Sequence, residues 1–481
     1  MPQGMAHTST PDSIVRPFSV CYDLQFCWIV KFPMPVKTDG PSSRLTRRSF
    51  LDRAGRFFLV APMLSFAWMP SCSSSGSSNG SSGSNGYTGT DDQLLDEVER
   101  AAYTYFWEQA NPLTGFVKDR ANVSGTDTYT MSSIAATGFG LTALCIGDSR
   151  GYGTSAAIQQ RTLLTLQSLL STAAGYQGFF YHFLDWGTGA RVGNSELSSI
   201  DSAILMCGIL TTRQHFSANS AIVDAATKLY QAVNWPWMLN GGTTLSMGWT
   251  PESGFIAARW SHYCELMMLY LLGMGSPTYP LSPATWSAWT RPSYTYQGIT
   301  YISAGDPLFT HQYSHAWFDF RNKHDAYADY YQNSVYATQA HKLFCLSLQS
   351  QFSDYSQNLW GITASDSAGG YVAWGGPPAT GPIDGSIVPC APGGSIPFVP
   401  ADCIAVLRNI RGYYPNAWGR YGFTDAFNPL KSWWNPDVLG IDLGITMLMA
   451  ENYRSGLVWS TFMANPEMAN AMKLAGFQAN Q

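Results

Sequence analysis

A run of seven residues, 266–272, constrains the fold of this 481-residue chain more than any other feature, because it is apolar on every side of a helix. A helix of that kind must be surrounded by protein on all sides. Glu265 directly precedes the run, and a carboxyl group in such a place must be paired, reach a cavity or keep its proton. The fold must therefore bury whole helices and still accommodate one carboxyl group beside them.

Helical patterns recur from Asp91 onward, about twelve in all by their apolar spacing. Long loops rich in Gly, Pro and Trp separate these patterns. This alternation favours an all-α fold in paired layers, with an inner and an outer ring and with the aromatic-rich loops forming a cleft at one end. A helical bundle without a ring is the alternative. The predicted helices span 92–110, 131–147, 154–173, 195–215, 219–233, 256–273, 325–351, 399–412, 441–456 and 465–475, with shorter pieces near 283–290 and 311–319.

The first part of the chain has the pattern of an export leader. Arg47 and Arg48 lie in a segment that closely resembles a twin-arginine signal. The apolar run that follows, 57–69, is too short to span a bilayer as a helix. Residues 1–71 are therefore predicted to be a leader that is removed, with Met34 as a candidate for the true start.

Cys72 follows a small residue in a pattern typical of lipoprotein processing, which predicts a lipid on this cysteine. Simple cleavage nearby is the alternative. The Ser- and Gly-rich segment 72–90 is predicted to be a flexible tether, and 91–481 to be a single domain. We accordingly expect an exported protein in the periplasm or at the cell surface, a monomer that meets the membrane only through its lipid anchor.

The charge and cysteine patterns exclude several classes of protein. Charged residues make up 12% of the chain and the net charge is −5, so a nucleic-acid-binding surface is not expected. Cys145, Cys207, Cys264 and Cys345 are predicted to be buried small hydrophobic residues, and Cys390 and Cys403 could form a disulfide in an oxidising compartment but are predicted not to. No Cys or His spacing typical of a metal site occurs, and neither a metal nor a cofactor is predicted. The aromatic share of 14% suits a neutral ligand such as a sugar, although a large aromatic core would explain it equally well.

Six long segments distributed along 91–481 carry a common pattern: 194–205, 254–281, 310–342, 359–378, 418–429 and 436–459. Together they resemble the glucoamylase-like domain of glycoside hydrolase family 144, and the resemblance extends over almost all of 91–481. It implies an (α/α)6 barrel that hydrolyses β-1,2-glucan with inversion and without a metal, and it implies linear β-1,2-glucan and sophoro-oligosaccharides as ligands. The sequence departs from the family pattern at Gln332, Leu443 and Ile445, which affects the detailed sugar contacts rather than the fold.

Glycoside hydrolysis commonly uses two carboxyl groups, one that protonates the leaving oxygen and one that activates water. Glu265 is the predicted acid, because apolar surroundings would raise its pKa, and the resemblance implies an essential glutamate at this position. Its pairing with Arg259 or His262 is the alternative. If the acid prediction holds, Glu265 and the second carboxyl group should line one cleft.

Glu196 and Asp201 are the candidates for the second catalytic carboxyl group. Glu196 follows the Gly-rich loop 187–193 and opens a predicted helix, which places it at the rim of a cleft; the resemblance also marks it as functional. A carboxylate favoured by the helix dipole is the alternative. Asp201 stands three residues after Ser198, the spacing of a capping box, so a purely structural role is equally open.

Substrate binding is predicted for polar and aromatic residues that are interspersed in loops, because such residues can hydrogen-bond and stack on sugars. In the segment 311–325, a salt bridge between Asp319 and Arg321 or a metal site is the alternative. The loop tryptophans are predicted to be exposed platforms, with anchoring of the loops as the alternative. The predicted substrate-binding residues are Asp119, Arg120, Trp186, Arg259, His315, Trp317, Asp319, Arg321, Trp374, Trp434 and Asp442.

These features lead to an endo-acting, inverting β-1,2-glucan hydrolase as the predicted function. An exo-acting enzyme that releases sophorose, or a transglycosylase on the same scaffold, would have the same motifs, because loop length at the ends of the cleft distinguishes them. A non-catalytic glycan-binding lipoprotein is the alternative from another class. A polysaccharide lyase is disfavoured, since such enzymes need a basic cleft for uronates and this chain carries a net charge of −5.

Overall fold

The computed structural model describes residues 86–377 and 383–480, which all belong to one compact unit. The predicted leader, Cys72 and most of the tether lie outside the described residues and stay predictions. Within the described ranges, every helix is too short or too polar to cross a bilayer.

The described part of the chain contains thirteen α-helices and five short 3-10 helices. The α-helices are α1 Asp91–Glu108, α2 Ile134–Arg150, α3 Ser155–Ser171, α4 Ser199–His215, α5 Ser220–Gln231, α6 Trp235–Met238, α7 Met267–Gly275, α8 Tyr330–Ser347, α9 Cys390–Gly393, α10 Pro400–Tyr413, α11 Gly440–Arg454, α12 Leu457–Met463 and α13 Pro466–Leu474. The 3-10 helices are Pro283–Ser287, Leu308–His311, Tyr313–Ala316, Pro415–Ala417 and Pro429–Lys431.

Six segments form an inner ring, and their side chains are buried on nearly every side: α2, α4, α7, the consecutive 3-10 helices over 308–316, α9 and α11. The longer helices between them, such as α1 and α3, bury one face only, as an outer layer should. The prediction of an inner and an outer ring is confirmed, and the fold is an (α/α)6 barrel.

Direct contacts close the inner ring. α2 packs on α4 and α11, α4 packs on α7, and α9 packs on α11. Ser314 Oγ donates a hydrogen bond to the carbonyl of Glu265 and accepts one from the backbone N–H of Met268, which joins α7 to the 3-10 segment. Gln312 donates to the carbonyl of Ala391 and so joins that segment to α9.

The helices α2 and α4 approach each other closely at two glycines. A Cβ atom added to Gly208 would lie 2.1 Å from the carbonyl oxygen of Gly138, which is a backbone atom and cannot move aside cheaply. We therefore expect Gly208→Ala to lower the free energy of unfolding by about 1–3 kcal/mol, the usual cost of overpacking a core. Chemical denaturation measures this. Gly187→Ala is the control, because its nearest neighbour would lie 3.7 Å away, and equal losses in the two variants would contradict the close packing.

The loops carry short antiparallel strands in two- and three-stranded sheets. Several of them join the loops that precede different inner segments: β1 pairs with β18, β2 with β5, and β6 with β7. These pairings gather the loops at one end of the barrel, which we call the loop end. The strands are β1 Arg120–Asn122, β2 Met131–Ser133, β3 Gly175–Tyr176, β4 Phe179–Phe180, β5 Phe183–Asp185, β6 Leu197–Ser198, β7 Gly248–Thr250, β8 Gly254–Phe255, β9 Ser293–Tyr296, β10 Ile299–Ile302, β11 Lys323–His324, β12 Ala364–Ser365, β13 Val372–Ala373, β14 Trp418–Gly419, β15 Gly422–Phe423, β16 Phe427–Asn428, β17 Trp433–Trp434, β18 Asp437–Leu439 and β19 Gln478–Ala479.

The predicted helix over 256–273 is wrong in its first half, since α7 begins at Met267. The backbone of Arg259 bridges to Ser246, and the N–H of Tyr263 donates to the carbonyl of Thr290. These bonds with neighbouring loops replace the helical ones. The predicted burial of the cysteines is confirmed in the described residues, where all six are buried and none forms a disulfide.

Candidate functional site

The loop end contains a first group of ionisable side chains around His182, which we call the His182 cluster: His182, Glu196 and Asp201. His182 lies between β4 and β5, Glu196 directly precedes β6, and Asp201 lies in the first turn of α4. The ring Nδ1 of His182 is 3.0 Å from Glu196 Oε1, and Nε2 is 3.7 Å from Asp201 Oδ2. Ser198 Oγ caps α4 by accepting a hydrogen bond from the N–H of Asp201. The predicted capping arrangement is therefore present, and the side chain of Asp201 belongs to the cluster as well.

Burial and mutual charge determine the protonation of this cluster. Burial alone would lower the pKa of His182, but the carboxylates of Asp201 and Glu196 outweigh it and raise the pKa to about 9. Burial raises the pKa of Asp201 to about 6 although the charge of His182 opposes it. For Glu196, burial is outweighed by the hydrogen bond and charge of His182, and its pKa is lowered. Near neutral pH the cluster therefore holds an imidazolium between two carboxyl groups.

A metal ion is the competing occupant of the His182 cluster. One potential ligand atom from each of the three residues lies within 4.8 Å of the others. The two ring nitrogens, however, face different carboxyl groups. An imidazolium accounts for both contacts, because each ring N–H then meets a carboxyl group.

A second group at the loop end, which we call the aspartate cluster, consists of Asp366, Asp425 and Asp442. Arg120 Nη1 donates to Asp366 Oδ2 at 2.8 Å, and the amide of Asn435 donates to both Asp366 and Asp425. The carboxyl groups of Asp425 and Asp442 lie close enough to influence each other's pKa. Burial raises the pKa of Asp442 to about 6, and burial together with the charge of Asp442 raises the pKa of Asp425 well above its usual value.

The two clusters together offer both protonation states that acid–base chemistry needs. The hydrogen bond and charge of His182 lower the pKa of Glu196 against the effect of burial and favour its ionised form, while burial and the neighbouring Asp442 raise the pKa of Asp425 and favour its protonated form. Pairs of carboxyl groups whose environments push their pKa values apart are typical of sites that transfer protons. Asp119 lies between the clusters, since it pairs with Arg120 at 3.3 Å and its charge contributes to raising the pKa of both His182 and Asp442.

Glu265 lies at the loop end but does not line an open cleft, because its side chain is fully enclosed. In this conformation the expectation that it reaches solvent alongside Glu196 is wrong. Its pairing with Arg259 is not found either, since that guanidinium donates to the carbonyl oxygens of Leu239 and Thr244. The charge of Glu265 contributes to raising the pKa of His262, behind the larger effect of Asp306.

Four predicted substrate residues lie inside the ring or beyond it, away from the two clusters at the loop end, so the structure does not bring them into the same cleft. The segment 308–316 enters the inner ring from the loop end, so the residues after it emerge at the far end. The carbonyl of His315 accepts a hydrogen bond from the Trp459 indole, in α12. Asp319 and Arg321 form the salt bridge given above as the alternative, at 2.9 Å. The buried Trp317 donates to Thr142 inside the ring.

The three loop tryptophans differ in exposure. Trp374 is only 2% exposed and its indole donates to Ser365 Oγ, so it anchors the β12–β13 loop and is not an exposed platform. Trp186 is partly buried with the ammonium of Lys118 over its ring. Trp434 is partly buried and stacks on Phe427. A platform role for the latter two stays a prediction.

Sequence reasoning missed several residues of the site, namely His182, Asp366, Asp425 and Asn435. Each lies in a Gly-rich loop that precedes a buried inner segment. A signal was therefore present: the polar side chains in the loop before each buried segment are the ones that meet at the loop end.

The chain is similar to glucoamylase-like proteins and to β-1,2-glucan hydrolases. The family model named Glycoamylase, which describes glucoamylases, matches residues 257–466. A curated exo-β-1,2-glucooligosaccharide sophorohydrolase from Parabacteroides distasonis is 29% identical over 432 residues, covering 80% of this chain and 58% of the relative. This chain thus spans less than two thirds of that relative's length.

Two solved structures share the fold over most of the chain. An endo-β-1,2-glucanase from Chitinophaga pinensis, in complex with sophorotriose and glucose, is 28% identical with a TM-score of 0.76 and covers 82% of this chain and 99% of its own. A β-1,2-glucanase from Parabacteroides distasonis is 29% identical with a TM-score of 0.76 and covers 81% of this chain and 60% of its own.

Proposed function

Because the chain belongs to the glucoamylase-like proteins of glycoside hydrolase family 144, we propose that it hydrolyses the β-1,2-glucosidic bonds of linear β-1,2-glucan and sophoro-oligosaccharides. The observation that carries the proposal is the presence of two clusters of carboxyl groups at the loop end of an (α/α)6 barrel, where their surroundings shift the pKa values of Glu196 and Asp425 in opposite directions. The relatives named as a sophorohydrolase and as glucanases support the choice of substrate.

The proposed chemistry needs a proton donor and a group that activates water on the opposite side of the sugar. Glu265 is the proposed donor, as the family resemblance implies, and the role requires that glucan reach its enclosed carboxyl group. Glu196, Asp201 and Asp442 are the candidates for activating water, because each is ionised or titrates near pH 6. Asp119, with its partner Arg120, is proposed to bind sugar hydroxyls between the clusters.

The proposed mode of action is endo, with cleavage inside the chain. Exo action with release of sophorose is the alternative, since one relative carries that name and another is named an endo-glucanase. A transglycosylase on the same scaffold is a further alternative. The export and lipid anchoring predicted from the leader would place any of these activities outside the cytoplasm, and they remain proposals.

Product analysis on long linear β-1,2-glucan tests the function. We expect a mixture of sophoro-oligosaccharides with new reducing ends, and no products from a β-1,3-glucan control. Release of sophorose alone would mean exo action, and ring-closed products would mean transglycosylation. Binding of glucan without new reducing ends would favour a glycan-binding lipoprotein, and products that absorb through a new double bond would mean a lyase. Either of these last two results would overturn the proposal.

A further inference from the structure

The position of His182 is determined by its backbone as well as by its ring. Its N–H donates to the carbonyl of Glu196 at 2.8 Å, and its carbonyl accepts from the N–H of Ile134 at the start of α2. The ring stacks on Phe183 with 3.9 Å between the ring centroids. His182 therefore joins the loop that carries Glu196 to the first turn of one inner helix.

The ring of His182 also joins two carboxyl groups that would otherwise repel each other. Glu196 faces Nδ1 and Asp201 faces Nε2, and the side chains of Glu196 and Asp201 are 19% and 1% exposed. Neither oxygen of Asp201 has a hydrogen-bond partner. A buried carboxyl group without such a partner depends on nearby charge to stay ionised and oriented.

We propose that His182 is a positioning residue of the site, which as an imidazolium clamps Glu196 and Asp201 in the geometry that the reaction needs. This inference rests on the proposed function. His182 does not itself have to touch the sugar. It holds the carboxylate of Glu196 in its orientation and keeps it ionised, and it supplies the positive charge that faces Asp201.

The charged groups around His182 all favour this state. Glu196 faces the ring from the loop before β6 and Asp201 faces it from α4, and the charge of Asp119 acts on it from the loop before β1. Together they raise the pKa of His182 to about 9 against the effect of burial. The charge of Arg191 acts on Glu196 in the same direction as His182 does and holds its pKa low.

Removal of this charge should change the pH dependence of the reaction as well as its rate. Without the imidazolium, the pKa values of Glu196 and Asp201 rise. As the pH falls, the carboxylate that must be ionised therefore takes up a proton at a higher pH than in the wild type. We expect His182→Asn to lower kcat/KM by about 100-fold, as a displaced catalytic group does. The acidic limb of its pH profile should move up by about one pH unit or more.

His215→Asn is the matched control. His215 Nε2 lies 2.8 Å from Asp148, and the two side chains are 13% and 19% exposed, close to the values for His182 and Glu196. His215 ends α4, away from the loop end. We expect its replacement to leave the pH profile unchanged. A profile of His182→Asn that coincides with the wild type, or a loss of activity equal to the loss of folded protein, would overturn the proposal.

An NMR titration of the ring nitrogens separates this inference from the proposed function. His182 should keep both protons above pH 7, and Glu196→Gln should lower its pKa. If the His182 ring loses a proton near the ordinary pKa of about 6.5, the proposed positioning role is refuted. If the wild type hydrolyses no β-1,2-glucan, the proposed function fails. The titration alone then decides whether His182 is held as an imidazolium between Glu196 and Asp201.

Discussion

Glu265→Gln is expected to lower kcat/KM on β-1,2-glucan by about 10³-fold or more, because glutamine keeps the shape of the side chain but cannot donate an acidic proton. Binding of glucan should persist, since the amide can still make hydrogen bonds. The melting temperature should change little. Initial rates of reducing-end release, together with calorimetric binding, measure the two effects separately.

The controls for this variant use two other glutamates. Glu451→Gln changes a buried glutamate in the last part of α11, so it should lower stability without removing turnover. Glu196→Gln should also lose activity if its carboxylate serves the reaction. Retained turnover in Glu265→Gln together with lost turnover in Glu196→Gln would move the donor role away from the enclosed residue. Unfolding of Glu265→Gln would make Glu265 a structural partner.

The ring could be predicted from the sequence because its cause is local. A helix such as α7, which is apolar on all sides, can only lie inside a second layer, and the amphipathic α1 and α3 supply such a layer. The start of α7 could not be predicted in this way. The segment 256–266 makes its hydrogen bonds with loops that are distant in sequence, and these override the local helical pattern.

The site was only partly predictable, for a related reason. Glu196 and Asp201 were found because their own segment carries the signal. His182 meets them through the bridge between Tyr181 and Leu197, and no short-range pattern reveals such a contact. The same limitation misplaced His315, whose segment mixes polar and aromatic residues as sugar sites do. Half of that segment lines the inner ring, where the aromatic rings serve as core.

Arg454→Met is expected to give the largest loss of stability, about 3 kcal/mol at pH 9, because the buried carboxylate of Glu99 loses its close cationic partner and keeps only Arg150, at 3.8 Å. Glu99 in α1 is fully buried and pairs with Arg454, while Arg150 pairs with Glu451 at 2.8 Å. This network joins α1, α2 and α11. Denaturant unfolding at fixed pH measures the loss.

The pH dependence of that loss tests its cause. Burial and the neighbouring Glu451 raise the pKa of Glu99 to about 8, above its value in the unfolded chain, although Arg454 opposes this. A carboxyl group with a raised pKa weakens the fold as pH rises towards that value, because it must lose its proton inside the protein. Without Arg454 the pKa rises further, so the variant should lose much less at pH 6 than at pH 9.

Arg100→Met is the control for Arg454→Met. Arg100 pairs with Asp96 at 3.5 Å on the exposed side of α1, the helix that carries Glu99. Such a surface pair contributes about 1 kcal/mol or less. Glu99→Gln in the Arg454→Met background should restore much of the stability at pH 9, since the amide carries no charge to bury. Equal losses at both pH values would instead attribute the effect to the lost packing of the Arg454 side chain, and the charge network would then not be what joins α1 to the inner helices α2 and α11.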